Sequence, residues 1–204
     1  MTEEEARSWI SDRYGVSRET VLERLAEAVA IENRSQNLIA GSTVDSMWSR
    51  HIVDSAQLLP LAPDRGIWVD VGSGAGFPGM VVAALSGRKV TLIEPRRRRA
   101  EFLATLAEKL DLPNVTIIQS SVEKAPAPAR VAAISARAVA SLDALFTKAA
   151  HLADADTLWL LPKGRSAKSE LDAARQAWQG SFHVEQSITD AQSRIIVARK
   201  VRPR

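Results

Sequence analysis

The segment Val69-Asp-Val-Gly-Ser-Gly-Ala-Gly-Phe-Pro-Gly79 places four glycines (Gly72, Gly74, Gly76, Gly79) within eight positions, directly after an apolar run. Glycine reaches positive φ without steric cost and lets backbone approach a ligand with no Cβ in the way. Such a turn between a strand and a helix is where a doubly wound α/β sheet binds its ligand. The constraint is therefore strong only if the rest of the chain alternates strands with helices.

It does. IWVDV (67–71), KVTLIE (89–94), VTIIQ (115–119), VAAIS (131–135) and TLWLLP (157–162) are short β-rich apolar runs, with helical periodicity between them at about 79–86, 97–111, 141–152 and 167–178. Alternation of this kind implies a parallel sheet covered on both faces. FHVEQS (182–187) and SRIIVAR (193–199) have no helix between them and predict a terminal hairpin, at least partly antiparallel to the rest. Seven strands are thus expected, mostly parallel. Ahead of them the period is helical: Thr2 and Glu5 read as a capping box opening a helix through Trp9 and Ile10. Val21, Leu22, Leu25, Ala28 and Val29 share one stripe, and Trp48, Ile52, Ala56 and Leu59 another. Pro60 and Pro63 close this part. The expected division is a helical extension over residues 1–64, packed on an α/β domain over residues 65–204.

Composition narrows the chemistry. A chain of 204 residues buries a sizeable core. No apolar window approaches the length of a membrane span, and the acidic start MTEEEARSWI lacks the basic-then-apolar pattern of a secretory signal. A cytoplasmic location is expected, and the absence of cysteine agrees with it. That absence removes disulfides, thiolate metal sites, iron–sulfur clusters and thiol nucleophiles. His51, His151 and His183 are too scattered for a metal site. The net charge of +3 conceals an asymmetry: residues 1–64 carry six Lys/Arg against eleven Asp/Glu, residues 65–130 ten against six, and residues 131–204 eleven against seven. A basic balance over the last two thirds suggests a polyanionic partner.

The dinucleotide pattern G-x-G-x-x-G requires a third glycine at position 77, where Phe77 stands. The spacing is instead G-x-G-x-G, preceded by Asp70, with Pro78 suited to start the next helix. Glu94, ending the second strand 22 positions after Gly72, is placed to accept hydrogen bonds from two ribose hydroxyls, which fits an adenosine ligand without a 2′-phosphate. The plainer reading is a tight turn beside an ordinary strand-end glutamate.

These residues resemble those of the Rossmann-like class I methyltransferases that use S-adenosyl-L-methionine, and more closely the ribosomal small-subunit methyltransferase G family, formerly called glucose-inhibited division protein B. The resemblance runs from about Asn37 to Lys200. It rests on Asn37-Leu38, Arg50-His51-Ile52-Val53-Asp54-Ser55, the whole VDVGSGAGFPG stretch, Ser120-Ser121-Val122-Glu123, Arg137-Ala138-Val139-Ala140 and Pro162-Lys163-Gly164. It implies methylation of N7 of a guanine in 16S ribosomal RNA, guanine-527, with the RNA, the small ribosomal subunit or an assembly particle as partner. No membrane and no obligate protein partner is implied. The resemblance further implies cofactor contacts from the turn (Gly72, Ser73, Gly74, Gly76, Phe77), from Glu94, and from Val122 and Glu123 beside the adenine. Arg137 is implied at the methionine end, facing the substrate. Many members carry arginine just before the Val/Ala-Glu pair, whereas Ser121 stands here, so that arginine's role is absent or supplied from elsewhere.

The run Arg96-Arg97-Arg98-Arg99 opens a helix, at the positive end of its dipole, where cations are locally unfavourable. A consecutive run cannot all face one way, so phosphate contact by at least one of these arginines is expected, the alternative being a solvated face. Lys163, after the fifth strand, is a candidate RNA contact or positioning group. Arg194, Arg199, Lys200, Arg202 and Arg204 form a basic tail that meets RNA or only aids solubility. His51 and Asp54, three apart, read as a hydrogen-bonded pair joining the N-terminal helices to the sheet, with an RNA-facing role as the alternative.

Guanine N7 carries an in-plane lone pair and no proton, so it attacks a sulfonium methyl directly, without a general base. Catalysis then rests on alignment and on tolerance of the charge that moves to the base. No acid–base residue is accordingly expected, only positioning by Arg137 and Lys163. Covalent methylation at pyrimidine C5 and radical methylation both need cysteine. An amine-methylating Asn/Asp-Pro-Pro-Tyr/Phe motif is replaced by Ser135-Ala-Arg-Ala138. A nicotinamide dehydrogenase lacks its third glycine and its Tyr-x-x-x-Lys here, and a non-catalytic RNA-binding protein leaves the glycine turn without a ligand.

Overall fold

A computed structural model describes all residues, Met1–Arg204. One seven-stranded sheet runs β1 (Ile67–Val71), β2 (Val90–Ile93), β3 (Val115–Ile118), β4 (Val131–Ala136), β5 (Leu158–Lys163), β6 (Trp178–Gln186) and β7 (Arg194–Pro203), in the spatial order β3-β2-β1-β4-β5-β7-β6. β1 to β5 are mutually parallel, while β7 is antiparallel to β5 and β6 to β7. The order reverses between β1 and β4, which opens a crevice at their carboxyl ends.

Side chains alternate along each strand, and the two sets face different helices. Trp68, Leu92, Ala133, Leu158 and Leu160 join one core with the N-terminal helices α1 (Glu3–Tyr14) and α2 (Val16–Gln36), and with α4 (Gly79–Ser86) and α5 (Arg97–Lys109). Val69, Val71, Ile93, Ile134, Trp159 and Leu161 join the other with α6 (Leu142–Ala149) and α7 (Ala167–Ala177). Residues from Ala6 to Leu58 therefore bury their apolar stripe against the sheet's own helices and share that core. The Thr2 capping box is formed, Glu5 N donating to Thr2 Oγ1 at 3.1 Å and Thr2 N to Glu5 Oε2 at 2.8 Å. Next to it the Glu3 carboxylate accepts from the backbone N–H groups of Trp48 and Ser49, both at 2.8 Å. It thereby caps a π-helical turn, Trp48–Val53, which runs into the short α3 (Asp54–Ala56).

Two boundaries differ from expectation. α7 ends at Ala177, so Trp178 is the first residue of β6 rather than the last of a helix, and the hairpin strands reach Trp178 and Pro203. Trp178 is drawn to the sheet by burial: it packs on Phe146, with ring centroids 5.5 Å apart, and its Nε1 donates to Asp143 at 2.8 Å. Phe146 also meets Trp159 edge-on at 5.1 Å and Phe182 at 6.2 Å, which makes it the hub of the second core. Truncation Phe146→Ala should cost about 3–5 kcal/mol of unfolding free energy in urea titration; a loss below about 1 kcal/mol would show that this cluster collapses around the cavity.

Candidate functional site

The glycine turn links the end of β1 to α4. Gly72 N and Ser73 N both donate to the Ile93 carbonyl of β2, at 2.8 and 3.2 Å, and Gly76 N closes back on the Ser73 carbonyl at 2.7 Å. Gly72 has φ +68°, and a Cβ there would stand 2.6 Å from Val139 of the β4–α6 segment. Gly79 is required for a different reason: a Cβ would lie 2.2 Å from Leu92 and 2.9 Å from the Asp70 side chain. Asp70 is fully buried and ties the turn together. Its Oδ2 accepts from Gly79 N at 3.3 Å and its Oδ1 from Ser135 Oγ at 2.6 Å, while Trp68 Nε1 donates to Ser135 Oγ at 2.8 Å. Burial pushes the Asp70 pKa up to about 6, against the opposing pull of these hydrogen bonds.

Beside Gly72 lies a cavity of about 230 Å³, lined by Val71, Ile93, Pro95, Val122, Val139 and Leu145 among others, with Glu123 and Lys148 at its edge. Their ion pair, at 3.1 Å, is half-exposed. Ser121 also lines this cavity. Glu94 is buried and does not line it; its carboxylate accepts from Gly74 N and Arg96 N, each at 2.9 Å. Both oxygens thus engage backbone donors at the turn and at the start of α5. There they offset the arginine run, since an anion is favourable at a helix N-terminus.

On the other side of the turn three side chains stack. The His51 ring lies 5.2 Å from Phe77, with an interplanar angle of 21°, and the Arg137 guanidinium also sits 5.2 Å from the Phe77 centroid. Arg137 donates to the Arg50 carbonyl at 3.2 Å and lies 3.8 Å from Asp54 Oδ2. The expected His51–Asp54 pair is not formed. A π-helical turn is wider than an α-helical one, so residues three apart diverge. His51 Nε2 meets Thr43 Oγ1 at 2.9 Å instead, and Asp54 turns to Gln57, Thr189 and Arg137. Because the Thr43 hydroxyl donates to the Ala40 carbonyl, His51 Nε2 is the donor, and buried Nδ1 is left as an acceptor with no partner. Burial, with Arg137 and Arg50 nearby, pushes the His51 pKa down to about 3.

The arginine run divides as a helix requires. Arg97 pairs with Glu101 at 2.7 Å, and Arg99 reaches back to the Asn37 carbonyl at 3.3 Å, while Arg96 and Arg98 are exposed and unpaired. Lys163 is engaged within the protein: its side chain is only 11% exposed and its ammonium is held by Glu170 and by the Ala140 carbonyl, both at 2.8 Å, so it braces the β4–α6 segment. Arg199 and Lys200 lie away from the glycine turn. Lys163, at the carboxyl end of β5, pairs with Arg194, so the antiparallel β7 carries Arg199 and Lys200 past Trp159 toward the far end of the sheet. A strand's direction was needed to see this, and composition does not supply it.

A family model for rRNA small subunit methyltransferase G matches residues 18–198. The chain belongs to that family. It is 47% identical to the ribosomal RNA small subunit methyltransferase G of Zymomonas mobilis, covering all of this chain and 96% of that one. It is 49% identical to the Rhizorhabdus wittichii protein of the same name, covering 100% and 95%. Solved structures share the fold: a SAM-dependent methyltransferase from Aquifex aeolicus (TM-score 0.59, 16% identity, 76% of this chain and 92% of that one) and M. jannaschii TYW2 in complex with AdoMet (0.58, 15%, 78% of each).

The two perturbed groups act oppositely on stability. His51, with a folded pKa below its unfolded 6.5, withdraws stability as pH falls from about 6.5 toward 3. Asp70, raised above 3.8, returns stability as pH falls through 6. His51→Gln should therefore gain on the wild type by up to about 1.4 kcal/mol per pH unit between pH 6 and 4; a pH-independent difference in urea titrations would place the His51 pKa near its ordinary value.

Proposed function

We propose that this chain transfers a methyl group from S-adenosyl-L-methionine to N7 of one guanine of 16S ribosomal RNA, guanine-527 by family resemblance. The observation that carries the reading is the turn at Gly72. A Cβ there would collide with Val139, and the turn borders an apolar slot formed by Ile93, Pro95 and Val122 at the carboxyl end of the sheet. An adenine fits that slot, with Glu123 at its rim. Glu94, whose carboxylate already orders Gly74 and Arg96, keeps lone pairs for ribose hydroxyls. Family membership supports rRNA as the acceptor.

When bound, S-adenosyl-L-methionine supplies a methyl group on a positively charged sulfur. The protein's own contribution is placement. Arg137, laid on Phe77 and little exposed, offers N–H groups to a carboxylate or to guanine O6 while leaving N7 free. The buried titratable groups do not suit proton transfer: Asp70 has no solvent contact, Glu94 is tied to the backbone N–H groups of Gly74 and Arg96, and His51 Nδ1 is sealed from solvent. That agrees with a reaction needing no general base. The target guanine must be unstacked, because an A-form helix conceals its N7 edge. Arg96 and Arg98 are the phosphate contacts of choice, and a cytoplasmic site of action follows from the substrate.

The decisive experiment is transfer of labelled methyl to small-subunit RNA, both naked and as particles from cells lacking this protein, with mapping of the modified base. Label at N7 of a single guanine is expected; none on either substrate, despite cofactor binding, would overturn the acceptor. Arg96→Glu with Arg98→Glu should lower the slope of log K for RNA against log salt by about 0.7–0.9 per lost contact and leave cofactor affinity unchanged. An unaltered slope would make this run a solvated face.

A further inference from the structure

We propose that Asp54 is a positioning residue for Arg137, and that the turn between β6 and β7 belongs to the reaction centre because it fixes Asp54. This rests on the methyl-transfer reading, in which Arg137 faces the reacting groups. Asp54 Oδ1 receives Gln57 Nε2 at 2.8 Å, Thr189 Oγ1 at 2.9 Å and Ser187 Oγ at 3.4 Å. Those donors fill that oxygen and set the plane of the carboxylate. Oδ2 then faces Arg137 Nη1 at 3.8 Å, within ion-pair range and beyond hydrogen-bond range. Asp54 therefore attracts the guanidinium without occupying any of its five N–H groups. One of these goes to the Arg50 carbonyl and the guanidinium carbon lies over the Phe77 ring, which leaves the remaining N–H groups for a ligand. With the Arg137 and Asp54 side chains 19% and 16% exposed, the attraction is weakly screened.

The turn is fastened to the same segment at further points. Ile188 N donates to Gln57 Oε1 at 2.9 Å, Gln57 Nε2 to Ser187 Oγ at 3.1 Å, and Arg50 pairs with Asp190 at 2.6 Å. The strand ladder between β6 and β7 needs none of these contacts, because it ends at Gln186 and Arg194. They hold residues 50–57 in register with the carboxyl end of β4, where Arg137 emerges.

The test compares Asp54→Asn, Thr189→Val, Arg137→Lys and the double variant Asp54→Asn with Arg137→Lys. Single-turnover methyl transfer at saturating cofactor is followed, with melting temperature and the Arg137 Nε–H NMR signal as controls. Asp54→Asn should slow transfer by about ten-fold or more and Thr189→Val by about two- to five-fold, without a matching loss of folded protein. Asp54→Asn should add little on top of Arg137→Lys, as for groups acting through one another. Independent, multiplying effects, or an unchanged rate in Asp54→Asn, would overturn the proposal. If the wild type methylates no RNA, the functional reading fails separately. The Nε–H signal still decides then: it should broaden and exchange faster in Asp54→Asn, and an unaltered signal sinks the positioning role.

Discussion

The buried carboxylate of Asp70 is the constraint on which the rest of the site depends. It sits on the central strand with no solvent contact, so its two oxygens must be satisfied by the fold itself. One is given to Ser135 of β4 and the other to the first N–H of α4. These bonds fix the distance between the two strands that flank the switch in strand order, and the angle at which α4 leaves β1. The approach of α4 is so close that position 79 has no room for a side chain, and the turn between must fold back through Gly72 and Gly76. The crevice beside Gly72 is the space left over by that geometry. Asp70 is therefore better understood as the clamp of the turn than as a reacting group, and its raised pKa is a cost of the clamp.

Much of this was legible in the sequence because it follows from local rules. The five parallel strands, the helices between them and the capping box on Thr2 came from period and turn chemistry, and each lies within a few residues of its expected place. The glycine turn was legible because several positions there admit no other residue. The failures share a cause: each depends on what lies across space from the residue. Lys163 carries the same charge buried against Glu170 as it would facing RNA. The spacing of His51 and Asp54 suggested an α-helical pair, and the π-helical turn separated them. The partners of Asp54 sit in a hairpin turn more than 130 positions away, on serine and threonine residues that carry no signal of their own. Trp178 went to the sheet because aromatic burial outweighed the helical pattern leading up to it.

The same distinction governs how the positive charge is used. Counting residues gives a basic surface, but some of its cations are held by the protein's own acids. Arg7 bridges Glu19 and Glu23, Arg50 holds Asp190, Lys148 holds Glu123 and Lys163 holds Glu170. Within the four-arginine run, alternate members are engaged and free. What sets Arg96 and Arg98 apart from the other unpaired cations is therefore their place at the carboxyl end of the sheet, not a scarcity of free positive charge. Arg96 and Arg98 lie at the start of the helix that follows β2, beside the glycine turn that Glu94 ties to it.

A reaction whose nucleophile is a ready lone pair asks for little besides distance and direction, and the arrangement around Phe77 answers that demand with rigidity rather than with proton transfer. The ring is packed between elements from three parts of the chain: His51 from the π-helical turn, Arg137 from the end of β4, and the glycine turn that carries Phe77 itself. A neutral His51 adds no charge beside the guanidinium, and burial keeps it neutral over the whole physiological range. Were it protonated, two cations would lie against one aromatic ring, and their repulsion would disfavour the seat of Arg137. The low pKa of the histidine and the fixed position of the arginine are therefore two expressions of one packing arrangement, and a change that admits water to the first will loosen the second.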